Sequence, residues 1–269
     1  MLSLPFGRGL RRVLILAAGG WGLGLVPAMR AQQAAIAAAN RPARQVLQRA
    51  IRALGGPAYL AAKNKISIGR VYTFNIEGHM NGYGNRFWSY SRYPGDERIE
   101  LTHKRNVVFL YLPGKAWEIS YRGPRALNIR AVRAHHALME HSIGVVLRQW
   151  FRDPRTLLIY KGEGERKGHQ VERVDLINDQ DESVHLSCDM NTGLPVQVSW
   201  RQRDPILGSF VKQTEVFGHY QRVQGVVTPM VIQRYSGKEP VMQEFLSSVR
   251  YVPALPARLF TPVLIKHKH

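Results

Sequence analysis

Ile66-Ser-Ile-Gly-Arg-Val-Tyr-Thr-Phe-Asn-Ile76 is the stretch that decides the fold. Its even positions carry Ile66, Ile68, Tyr72, Phe74 and Ile76, and its odd positions include Ser67, Gly69, Thr73 and Asn75. Side chains on a strand alternate between the two faces of a sheet, so a period of two over this length predicts a long half-buried strand. Arg70 interrupts the apolar face. It is a candidate polar anchor, or else an arginine at a sheet edge.

The same period continues downstream. Gly78 to Gly84 reads as a turn, and strand-like stretches follow at 85–93, 97–103, 106–112 and 115–121. Tyr93-Pro-Gly-Asp96, His103-Lys-Arg-Asn106 and Pro113-Gly114 punctuate them, which describes an antiparallel meander. Further strands are expected at 156–161, 168–176, 182–189, 194–201, 210–221, 225–236 and 240–251. Turn residues separate several of these, at Asn178-Asp-Gln-Asp181, Asn191-Thr-Gly193, Gln224-Gly225 and Ser236-Gly237.

Two stretches change the period to that of a helix. Residues 32–54 are Ala-rich and carry Val46, Leu47, Ala50, Ile51 and Leu54 at helical spacing, before Gly55-Gly56-Pro57 stops the helix. Arg130 to Arg152 reads as one amphipathic helix ended by Asp153-Pro154. Strands that never alternate with helices argue against a parallel sheet. The expectation is an α+β, mainly antiparallel β protein whose sheet is covered by these two helices.

The first thirty residues set the compartment. Arg8, Arg11 and Arg12 precede Val13 to Ala28, an uncharged run that holds several glycines and a proline. Ala28-Met-Arg-Ala31 follows, with small residues at the exit. This is the layout of a cleavable signal peptide, and the run is shorter than the ~20 apolar residues of a membrane span. The expected organisation is a signal peptide at 1–31, one domain at 32–262 and a basic tail at 263–269. The mature protein is expected in the periplasm, after cleavage near Ala31.

The formal charge is +19, and the leader's four arginines leave +15 on the remainder. Such an excess attracts anionic surfaces, and an anionic membrane or an envelope protein is the expected partner. Nucleic acid is not expected, because no nucleic-acid module is visible. Cys188 is the only cysteine, so no intrachain disulfide forms. It falls on the apolar side of Val184-His-Leu-Ser-Cys188 and reads as a small buried hydrophobe.

Only His135-His136-Ala-Leu-Met-Glu140-His141 resembles a metal site. His136 and Glu140 share a helical face, but five residues separate His136 from His141. Five residues turn a helix by about 500° and place the second imidazole ~140° from the first, so a regular helix cannot chelate with both. Solvated or membrane-facing histidines are expected. No fingerprint of a hydrolase, a phosphate loop or a dinucleotide site appears. Neither an enzyme nor a cofactor or metal is expected.

Aromatic residues crowd the first meander, among them Tyr72, Phe74, Phe87, Trp88, Tyr90, Phe109, Tyr111 and Trp117. They suit either a packed core or the wall of a cavity that accepts acyl chains. The candidate ligand-binding residues are Arg70, Tyr72, Phe74, Trp88, Phe109, Tyr111, Trp117 and Trp150.

Four stretches carry a resemblance. They are Ala53-Leu-Gly-Gly56, Asp189-Met-Asn-Thr-Gly-Leu-Pro-Val196, Tyr220-Gln-Arg-Val-Gln-Gly-Val-Val-Thr-Pro229, and Val249 to Phe260. In this order they resemble the LolA/LolB-like superfamily of periplasmic lipoprotein-sorting proteins. The resemblance implies an open (half) β-barrel of about eleven strands, lidded by helices, whose cavity holds lipid or lipoprotein acyl chains. The helix at 130–152 and the basic charge do not map onto the family's carriers, and Pro253 stands where relatives tend to show Asn. Binding of a hydrophobic or amphiphilic ligand is the expected role. The alternative is an envelope scaffold or interaction protein without a small ligand.

Overall fold

The computed structural model describes residues 40–75, 77–203 and 208–263. The expected leader, residues 32–39 of the first helix, Ile76 and nearly all of the expected tail lie outside them. Helix α1 (Arg41–Ala53) buries Ala43, Val46, Leu47 and Ala50. These fall at i, i+3, i+4 and i+7, one stripe of a helix, while Arg41, Arg44 and Arg52 face outward. Pro42 sits in the first turn, where its missing N–H costs nothing.

At the helix end Gly55 adopts φ +119°, and Gly225 lies against it. A Cβ on Gly55 would stand 2.3 Å from the Gly225 carbonyl oxygen. Val227 N donates to Leu54 O at 2.8 Å, which ties the end of α1 to a hairpin far along the chain. A short helix α2 (Pro57–Ala61) follows.

Among the described residues thirteen strands form one antiparallel sheet. The first meander is β1 (Asn64–Thr73), β2 (Asn85–Arg92), β3 (Asp96–Leu101), β4 (Val107–Leu112), β5 (Lys115–Ser120) and β6 (Gly123–Ala126). Helices α3 (Ile129–Glu140) and α4 (Ile143–Arg148) and a 3-10 turn (Trp150–Arg152) come next. The second meander is β7 (Leu157–Arg166), β8 (His169–Ile177), β9 (Ser183–Asp189), β10 (Pro195–Arg203), β11 (Phe210–Val223), β12 (Val226–Ser236) and β13 (Glu239–Val252). Across the sheet the order is β6-β5-β4-β3-β2-β1-β13-β12-β11-β10-β9-β8-β7. Every neighbour is consecutive in sequence except β1 and β13, which join the meanders at a central seam. The edges β6 and β7 stay unpaired with one another, and α3 and α4 connect them.

Three expectations are corrected. Among the described residues the sheet has thirteen strands, one more than the twelve stretches read from the sequence. Its unforeseen member, β6, is the four-residue Gly123-Pro-Arg-Ala126, which is too short to show a period. The single helix at 130–152 is two helices and a turn. Ser142 breaks it, because its hydroxyl donates to Met139 O at 2.7 Å and accepts from Val145 N at 3.5 Å, capping α4. Finally, β1 is not buried on its even face alone. Ser67 and Gly69 are its fully buried residues, and Ile66, Ile68 and Tyr72 are half-buried on the other side. Both faces are covered, so polarity does not mark the deeper one.

The inner face, toward α1, α3 and α4, is filled along β7–β10. Leu158, Val174, Leu176, Val184, Leu186, Cys188, Val198 and Trp200 pack there against Leu47 of α1, Val146 and Leu147 of α4, and Trp150 and Phe151. Each fully buried Leu or Val contributes about 1.5–3 kcal/mol over an exposed one. On the outer face the C-terminal 3-10 turn (Ala257–Phe260) closes over β4 and β5. Leu255 and Phe260 pack there on Val108, Leu110 and Ile119, and Arg98 Nη1 donates to Leu259 O at 3.3 Å.

Candidate functional site

Across β1–β4 and β11–β13 the inner face has no such filling. A hollow of about 740 Å³ remains there, within the ~300–1,000 Å³ usual for ligand cavities. Its floor is apolar, with Val71, Phe87, Ile99, Leu101, Phe217 and Leu246 along it. Helix α3 crosses it as a lid. Ala131, Ala134, His135, Leu138 and Met139 line the hollow at helical spacing, and no residue of α3 is fully buried. A smaller recess of about 200 Å³ at the lid's edge shares Tyr111 and His135 with it.

Charged groups stand among this carbon surface. Cross-strand register sets Glu215 beside Arg234 and Arg234 beside Met242. Arg234 Nε donates to Glu215 Oε1 at 2.6 Å, and Glu244 Oε1 lies 3.7 Å from Arg234 Nη1. Burial works against the Arg234 charge, but Glu215 and Glu244 outweigh it and hold the guanidinium above its ordinary pKa. Burial also pushes the Glu244 carboxyl upward, with Arg234 opposing the rise. Charges this dry are tolerable only where paired.

On the opposite wall the Oε1 of Glu97 accepts from Ser89 Oγ at 2.9 Å and Ser91 Oγ at 3.2 Å. Its Oε2 lies 3.8 Å from Nε2 of His135 on the lid. Burial pulls the His135 pKa below its ordinary value, and Glu97 only partly compensates. At the end nearest α2 the lining is cationic, with Lys63, Lys65 and Arg148.

Of the residues expected to bind ligand, the structure brings Phe109 and Tyr111 together in the hollow. Trp150 is buried in the main core, its ring 5.5 Å from His141. Arg70, Tyr72 and Trp88 project from the outer face. Arg70 is exposed opposite Arg86, Tyr72 meets Phe245 edge-on at 5.8 Å, and Trp88 lies under Arg86 and Arg105. Trp117 belongs to the outer cluster beneath the C-terminal turn. Phe74 is past the end of β1, bridged to Met80. The physical reason is phase: the aromatic face of β1 and β2 is the outer one.

Sequence reasoning missed Glu97, Glu215, Arg234 and Glu244, and took His135 only as one of a cluster of solvated or membrane-facing histidines. A signal was available. Glu215–Phe217, Ile232–Arg234 and Glu244–Leu246 each place a charge two positions from an inward apolar residue. The histidine cluster also divides differently than expected. His136 is exposed, with Nδ1 3.1 Å from Glu140. His141 is buried, stacked 5.4 Å from Trp200. Among the described residues no three His, Cys, Asp or Glu side chains are placed to hold a metal ion.

No protein-family profile and no curated protein matches the chain. Solved structures do. A LolA superfamily protein from Nitrosomonas europaea superposes with a TM-score of 0.52 at 14% identity, covering 81% of this chain and 97% of that one. A DUF1329 family protein from Desulfovibrio piger superposes with a TM-score of 0.54 at 13% identity, covering 83% and 97%. The fold is therefore an open, LolA-type antiparallel sheet with helices across its inner face.

Proposed function

We propose that the protein is a binding or carrier protein for an amphiphilic ligand in the cell envelope, with the ligand's hydrocarbon in the hollow beneath α3. One observation carries the reading. The inner face is packed solid along β7–β10 yet left unfilled beneath α3 over β1–β4 and β11–β13. Moving an acyl chain from water onto that floor is favourable by ~0.8 kcal/mol per CH₂. Because α3 has no fully buried residue, displacing it for entry and release sacrifices little packing. The leader expected at 1–31 and the likeness in fold to a LolA superfamily protein support the envelope location.

Native mass spectrometry of the purified protein, followed by displacement of a fluorescent fatty-acid probe, tests this. Bound lipid and saturable probe binding are expected, and Ile99→Trp, which fills the floor, should weaken the probe at least tenfold while the protein stays folded. A bare protein that ignores the probe removes the carrier. An envelope interaction protein without a small ligand would then remain.

A further inference from the structure

The hollow is charged unevenly. Arg234 is matched by Glu215 and Glu244, and Arg92 by Asp96. Lys63, Lys65 and Arg148 also line it, and among the described residues none has a carboxylate within 4.0 Å. The three gather at one end. Tyr93 N donates to Lys63 O at 2.8 Å, which continues the β1–β2 ladder one pair beyond Asn64 and Arg92. Lys65 stands opposite Ser91 in that ladder. Arg148 arrives from α4, where its Nη2 donates to Tyr59 O at 2.5 Å and Ala62 O at 3.2 Å, and its guanidinium lies 4.1 Å from the Tyr59 ring centroid and 5.1 Å from that of Tyr93.

Backbone carbonyls and aromatic faces orient Arg148 without neutralising it, and its Nε finds no acceptor. A guanidinium held this way, at the same end of an apolar cavity as two lysines, is arranged for an anion. From Lys65 the inner face of β1 runs through Ser67 and Gly69 to Val71, six residues and ~20 Å. Phe87, Leu101 and Leu246 lie around its far part. Polar end and greasy floor thus lie along one line.

We infer that Lys63, Lys65 and Arg148 form a head-group site for a phosphate- or carboxylate-bearing amphiphile whose chain extends over Val71 and Phe87. This rests on the carrier reading and adds to it the chemical class of the ligand. The deeper ion pairs keep their own partners, so the incoming anion meets the cations that have no carboxylate in direct contact.

Titrations of the full chain with lysophosphatidic acid, palmitate, a monoacylglycerol of the same chain length, and inorganic phosphate alone test the site. The two anionic amphiphiles should bind about tenfold tighter than the monoacylglycerol, equivalent to about 1.4 kcal/mol. Added salt should shrink that ratio. Arg148→Gln and, separately, Lys63→Gln, whose exposed side chain is unimportant for folding, should each bring the ratio toward one. Equal affinity for charged and uncharged amphiphiles overturns the head-group site and leaves the carrier standing. Failure of all three amphiphiles, the monoacylglycerol included, removes the carrier itself. Phosphate binding alone as tightly as lysophosphatidic acid overturns the amphiphile and points to a free-anion site.

Discussion

His135 stacks face to face on Tyr111, the ring centroids 3.6 Å apart and the planes 11° from parallel. It is the polar group by which the lid α3 grips the wall of the hollow. Glu97 on β3, Tyr111 on β4, Arg234 on β12 and His136 on α3 itself surround it. Burial lowers the His135 pKa from the ordinary 6.5, so the folded state prefers the neutral ring. Above that value both states are neutral and pH has no leverage here. Below it the unfolded chain takes up the proton first, and stability falls as pH drops toward the folded value. His135→Phe keeps the stack and cannot protonate. Its Tm should gain on the parent's as pH falls below about 6.5, and a gap independent of pH would refute this.

Trp200 is buried to 2% exposure between α4 and β9, and its indole Nε1 has no acceptor. Trp200→Ala should cost about 3–5 kcal/mol through the cavity it leaves. Trp200→Phe removes an unsatisfied donor along with some volume, and should cost less than about 1.5 kcal/mol. Urea unfolding midpoints separate the two, and equal losses would contradict the packing argument.

Asp189 holds the β9–β10 turn. Its carboxylate accepts from Asn191 N at 3.1 Å, Thr192 N at 2.7 Å, Thr192 Oγ1 at 2.8 Å and His169 Nδ1 at 2.8 Å. Burial works to raise its pKa, but the bonds from Thr192 and His169 outweigh this and hold it below the usual 3.8. That contribution is complete above the usual value and disappears as pH falls through the folded one. Asp189→Ala should cost about 1–3 kcal/mol near neutral pH, and less as the solution is acidified. A loss that grows on acidification would show the assignment to be wrong.

Gly69 sits at the bulge where β1 changes register against β13. An added Cβ would stand 2.3 Å from the Phe245 carbonyl oxygen and 2.9 Å from the Phe87 ring. The carbonyl belongs to the ladder and cannot move aside, so Gly69→Ala should cost upward of about 2 kcal/mol. Gly218→Ala, with nothing within 4 Å of its Cβ, is the matched control and should be nearly neutral. Thermal melts of the pair check this.

Burial pushes the Cys188 thiol up to about 12. A thiol reagent should leave the native protein untouched and label it at the rate of unfolding. Prompt labelling under native conditions would place Cys188 elsewhere than in the core.

The strands were legible because each shows a period of two between turn residues, and twelve of the thirteen were expected near their observed positions. Their depth was not. In β1 the wall of the hollow is Lys65, Ser67, Val71 and Thr73, of which only Val71 is apolar, while the aromatic face points outward. The stretches carrying the LolA-like resemblance meet in space. Gly55 abuts Gly225, a Cβ on Gly193 would lie 2.9 Å from the Arg49 side chain, and Tyr220 donates to Pro195 O at 2.7 Å. They lock one end of the sheet to α1, so they report architecture more than ligand. The charges of the hollow come from β1, β2, β3, β11, β12 and β13, from α4 and from the lid, and only the folded chain brings them together.

The central seam has a consequence for how the protein is made. One flank of β1 pairs with β2 a dozen residues later, but its other flank waits for β13, the last of the described strands to leave the ribosome. Until residue 252 has emerged, a nascent chain that folded early would display a bare strand edge open to neighbouring chains. Sheet formation that waits until both halves of the seam are present together avoids that exposed edge.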